Sequence, residues 1–93
     1  MTNNVIVARH TGLVEWLRLR GVIGEVIPHV TDPSQIRGKV VYGVLPLNLA
    51  AEAAEVWVVD LPNLPAAKRG QELSIQEMDE FGATLSGYKV ERL

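Results

Sequence analysis

The chain has 93 residues, 47% hydrophobic and 22% charged, the size and balance of one ordered globular domain over 1–93 rather than two domains or a disordered tail. Nine Lys and Arg against eleven Asp and Glu leave a net charge of −2, which argues against duplex DNA as a partner, because that role calls for a basic excess. There is no cysteine for disulfides or thiolate metal sites. No run approaches the ~18–20 apolar residues of a membrane span, and the N-terminal MTNN lacks the basic and apolar regions of a secretory signal, so the expected location is cytoplasmic, with no membrane partner.

The first predicted element is Val5-Ile6-Val7, a charge-free β-branched run of the kind that fills a strand buried on both faces. Arg9 and His10 follow at once, and from Leu13 the period turns helical, with Leu13, Trp16 and Leu17 on one side. Thr11 is placed to cap this helix and Gly21 to end it. Glu25 to Ile27, with Val30, reads as a second strand, kept to an edge by Pro28. Asp32-Pro33 signals a turn or one helical turn, with Asp32 as cap and Pro33 first. Lys39 to Val44 is a third strand.

Pro46 then opens a helix whose Leu47, Ala50, Ala51 and Ala54 share one face. Glu55 to Asp60 is a fourth strand. Leu61 to Glu72 has no clear period, holds Pro62 and Pro65, and carries the basic Lys68-Arg69-Gly70; a stretch of that length in a small domain is more often functional than idle. Ser74 to Glu77 spells a capping box with Leu73 and Met78 placed as a hydrophobic staple. Met78, Phe81, Gly82 and Leu85 extend that helix to Gly87, and Tyr88 to Leu93 forms a charged edge strand.

The order β-α-β-β-α-β-α-β predicts an α/β sandwich, helices on both faces of a mostly parallel sheet of about five strands, in the order 2-1-3-4-5. The link between the second and third strands is short for a crossover, so the second strand is alternatively antiparallel or outside the main sheet.

In such folds ligands bind at the carboxyl ends of the strands, and helix N-termini attract anions. Three loops converge there in this scheme. They carry Arg9, His10 and Thr11; then Gly43, Val44, Leu45, Pro46 and Asn48; then Asp60 to Asn63, Lys68 and Arg69. Their chemistry points to an anionic ligand, a phosphate. His10 is either a proton carrier or a loop histidine bonded to a neighbour. Arg9 either meets the ligand or pairs with a carboxylate such as Asp60. His29 reads as structural or solvated, Arg18 and Arg20 as the wet side of the first helix, and Trp16 and Trp57 as core anchors. Glu72 and Glu77 suit the start of the last helix by its dipole alone. No phosphate-loop, dinucleotide or nucleophile-elbow motif occurs, and the two histidines make no recognisable metal set.

The segments RHTGLVEWL (Arg9 to Leu17), GVLPLNLAAE (Gly43 to Glu52), DLP (Asp60 to Pro62), RGQEL (Arg69 to Leu73) and FGATLSGYKV (Phe81 to Val90) together resemble the Csx-sixteen family of type III CRISPR accessory proteins. The likeness covers nearly the whole chain, least over Val22 to Gly38. This sequence departs from the family pattern at Ala8, where many members carry a hydroxyl, and at Asn48, where several carry histidine. The resemblance implies a small Rossmann-like three-layer sandwich, a homodimer, and a ring nuclease that degrades cyclic oligoadenylate, chiefly cyclic tetra-adenylate. It implies cleavage by attack of the ribose 2′-OH, without metal or cofactor. On that expectation Arg9 and His10 are catalytic. Thr11, Gly12, Gly43, Leu45, Pro46, Asn48, Lys68 and Arg69 then bind the ring. The alternative is a protein that binds the ring without cutting it.

Overall fold

The computed structural model describes residues 3–93. Five strands form one sheet: β1 (Asn4–Val7), β2 (Glu25–Ile27), β3 (Val40–Tyr42), β4 (Glu55–Asp60) and β5 (Thr84–Tyr88), in the order β2-β1-β3-β4-β5. The order is the expected one. The sheet is mixed rather than mostly parallel: β1 to β4 run parallel, and β5 lies antiparallel on β4. The second strand belongs to this sheet and is parallel to β1. The short link does not join neighbours. It passes from one side of β1 to the other, with twelve residues between Ile27 and Val40 to do so.

Alternation along the strands splits the apolar side chains between two faces. On one face Ile6 packs with Trp16, Leu17, Val22 and Met78, under helices α1 (Thr11–Leu19) and α3 (Ile75–Glu80). On the other, Val41 and Val56 pack with Ile36, Ala50 and Ala53, under the 3₁₀ turn Pro33–Gln35 and the short helix α2 (Leu47–Ala50). The result is three layers, one of them thin.

Trp16 is 1% exposed and anchors the first face. Its indole N–H donates to Asp79 Oδ1 at 3.0 Å, and the Arg20 guanidinium lies 4.3 Å over its ring while also bonding Asp79 at 3.2 Å. Arg20 is exposed, as the helix pattern predicts, but is also held by these two contacts. Arg18 is exposed too, pairing with Glu15 at 3.0 Å. Trp57 is half-buried, with its ring stacked on Tyr42 at 6.3 Å between centroids.

The Ser74 capping box forms as read, Asp32 caps its turn as read and adds a box with Gln35 that was not expected, and Leu73 packs with Met78 in the same cluster. Three boundaries differ from expectation. Thr11 is the first helical residue of α1, and His10 takes the cap position without a side-chain bond. The second helix stops after one turn, leaving Leu47 77% exposed while Ala50 and Ala53 go inside. The last helix ends at Phe81 and Gly82 rather than Gly87. Gly82 sits at φ +76°, a conformation that breaks the helix, so Leu85 and Gly87 fall in β5, with Leu85 opposite Val59. Lys89, Glu91 and Arg92 lie beyond the strand.

Candidate functional site

A cleft of about 500 Å³ opens at the carboxyl ends of β1, β2 and β3. The chain leaves β1 through Arg9 and His10, leaves β2 through Pro28 and His29, and leaves β3 through Gly43, Leu45 and Pro46; all line it. Gly43 is needed for the shape of this floor: a Cβ there would come within 2.5 Å of the Val7 carbonyl oxygen. The remaining lining is apolar, as in most small-molecule sites, with the polar groups few and grouped.

Arg9, His10 and His29 are exposed, and among the described residues none of the three joins an ion pair or a side-chain hydrogen bond. The Arg9–Asp60 pair left open by the sequence does not form. A free guanidinium and two imidazoles on one wall make a surface suited to a phosphate.

His29 is exposed and without a side-chain partner among the described residues, the solvated setting expected after Pro28, and it also lines the cleft. The strand order accounts for the second fact. In a parallel sheet the end of the second strand lies on the same rim as the end of the first.

His10 also borders a second, smaller cavity of about 160 Å³ with Leu61, Gln71 and Leu73. The loop after β4 reaches the site only through this side. Its Lys68 bonds Glu77 at 3.3 Å, and Arg69 is exposed without an ion-pair partner among the described residues; neither lines the cleft. Asn48 stands apart as well, in a shallow depression with Val90 and Arg92.

Thr11 and Gly12 are engaged by the protein itself. Glu72 Oε1 accepts both the Thr11 hydroxyl and the Thr11 backbone N–H, the latter at 2.9 Å. Gly12 sits so close to the Leu73 carbonyl that a Cβ has no room. The Thr11 hydroxyl first, then the backbone N–H groups of Gly12 and Thr11, hold the Glu72 carboxyl below its ordinary value of 4.5. The expectation that the start of α1 offers open N–H groups to a phosphate is thus corrected. A carboxylate from 61 residues away already occupies that end of the helix. Glu72, read as a neighbour of the last helix, serves the first.

Among the described residues no group of three or more His, Asp or Glu is placed to hold a metal ion, and no helix is long and apolar enough to cross a membrane. Residues 5–91 match the model of the family described as "Putative CRISPR-associated protein (Cas_VVA1548)". Nothing matches among curated proteins or among solved structures.

Proposed function

The chain belongs to the Cas_VVA1548 family of CRISPR-associated proteins, and from that premise we propose that it is a ring nuclease of type III systems that degrades cyclic oligoadenylate, cyclic tetra-adenylate in particular, and so switches off antiviral signalling. The observation that carries this reading is the meeting of Arg9 and His10 in one apolar cleft at the carboxyl rim of a three-layer α/β fold that we read as Rossmann-like. Arg9 holds the phosphate by the paired donors of its fork. His10 takes the proton of the ribose 2′-OH, which is a poor nucleophile until a base relieves it. The 2′-oxygen then attacks the adjacent phosphorus and leaves a 2′,3′-cyclic phosphate, with no metal required. Alignment of the 2′-oxygen with the departing 5′-oxygen contributes rate of its own. Arg69 and Lys68 add charge from the flanking loop.

The functional unit in this reading is a cytoplasmic homodimer. The ring has two-fold-compatible symmetry and fits an isologous groove better than one shallow cleft. Val44 on the cleft lining and Leu47 at the start of α2, 79% and 77% exposed, supply apolar surface for such a contact. Light scattering at micromolar concentration, with and without ring, should give twice the chain mass; a monomer in both states removes this part of the reading.

One assay tests the activity. The pure protein is incubated with cyclic tetra-adenylate and EDTA and the mixture is chromatographed. Linear products are expected. Intact ring retained on the protein would instead show a binder that does not cut, and unbound intact ring would end the reading altogether.

A further inference from the structure

Cleavage by a 2′-oxygen needs two proton transfers. One proton leaves the attacking 2′-OH, and another must reach the 5′-oxygen as its bond to phosphorus breaks, because an alkoxide is a poor leaving group. In-line displacement puts the entering and departing oxygens on opposite sides of phosphorus, so one imidazole cannot serve both in the same transition state.

Among the described residues, the lining of the cleft supplies one other imidazole, that of His29. The Ala8 N–H donates to the Ile27 carbonyl at 3.0 Å, the bond that closes the pairing of β1 with β2. Two residues further on, each strand delivers a histidine into the cleft: His10 from β1 and His29 from β2. Counted on from Val7 opposite Ile27, His29 falls level with Arg9 and His10 one residue beyond, past both strand ends and on the lining of one cleft. Pro28 fixes the backbone just before His29 and narrows the directions it can take. Among the side chains lining the cleft, the only other polar one is Arg9, and a guanidinium does not give up its proton in a protein.

We propose that His29 is the general acid of this site and His10 its general base, an assignment that rests on the ring-nuclease reading above. The 2′-OH proton passes to the neutral His10 imidazole as the O2′–P bond forms. The P–O5′ bond breaks, and protonated His29 gives its proton to the 5′-oxygen. The products are a 2′,3′-cyclic phosphate and a 5′-hydroxyl. His10 is left protonated and His29 neutral, and exchange with water restores both.

The test compares two rings. One is natural cyclic tetra-adenylate. The other carries bridging sulfur in place of the 5′-oxygens, and a thiolate, whose acid ionises near ~8.5, leaves without a donated proton. His29→Gln should cut the natural ring ~10²–10⁴-fold more slowly than the parent, the usual worth of one proton-transfer group, and cut the sulfur ring at close to the parent rate. His10→Gln should be slow on both. Thermal melting of each variant checks that the fold is intact. Equal slowing of His29→Gln on both rings, or no slowing on either, overturns the assignment while leaving the ring-nuclease reading in place. If the parent protein cuts neither ring, that reading falls and the assignment with it.

Discussion

The cleft wall and the loop after β4 carry the same kinds of residue and use them differently. On the wall, Arg9, His10 and His29 have no side-chain partner among the described residues and face an apolar hollow. On the loop, Lys68 is paired with Glu77, and Glu72 is spent on the first turn of α1. A charge that holds the fold together is not free to hold a ligand. Sequence alone ranks these residues by type; the structure ranks them by what they are already bonded to.

The largest effect should come from the wall. His10→Ala should lower the rate of ring cleavage by ~10²–10⁴-fold while leaving ring binding in place, read by single-turnover kinetics beside a binding titration. A residual rate is expected from alignment alone. Full activity in this variant would end the distinction between wall and loop.

Arginine removal gives the next step down. Arg9→Ala should weaken binding of the ring by about 10- to 100-fold, the worth of a lost charge-assisted bond of ~1.5–3 kcal/mol. Arg69→Ala should weaken it less and chiefly at low salt, because an exposed loop charge acts at a distance and is screened. Binding isotherms at two salt concentrations separate the two. A larger loss for Arg69 than for Arg9 would move the ligand from the cleft to the loop.

The smallest effect concerns the loop's own attachment. The folded-state pKa of Glu72 is depressed, so the stability it contributes is present above its ordinary value of 4.5 and is lost as pH falls through the lower folded value. The carboxylates of Asp32 and Glu77 are lowered by the hydrogen bonds they accept from the backbone N–H groups of Ser34 and Ser74 and act in the same direction, Asp32 from an ordinary 3.8. The melting temperature should therefore fall on acidification below about pH 4.5, and Glu72→Gln should make that fall slightly shallower. An identical acid profile for parent and variant would show that the loop's carboxylate holds nothing.

Much of the fold was legible because it is written locally. The apolar run Glu55 to Asp60 is a strand to the residue, the Asp32 cap is read from the proline that follows it, and the Ser74 box is read from side chains three positions apart. The α3–β5 junction was not legible. Met78, Phe81 and Leu85 keep helical spacing by chance, and only the left-handed conformation of Gly82 decides that the helix stops. Arg9 and His10 were placed on the cleft by their position after a buried strand. His29 is solvated as expected, and its place on the cleft follows from the strand order rather than from its own neighbours. Glu72 had no local signal at all, since its partner Thr11 is 61 residues away.

That separation has a consequence for the order of assembly. Bringing two points together costs chain entropy that rises with the length of chain between them, as ~(3/2)RT ln n. The Glu72–Thr11 contact closes 61 residues for a pair of hydrogen bonds at the surface. It becomes affordable only after β1, β3 and β4 have paired and α1 has packed, so it is among the last contacts to form. By the same account it is among the first to be released, and its release leaves the sheet and both apolar cores standing. The segment from Lys68 to Glu72 is thus held by surface polar bonds, Lys68 to Glu77 and Glu72 to Thr11, rather than by either apolar core.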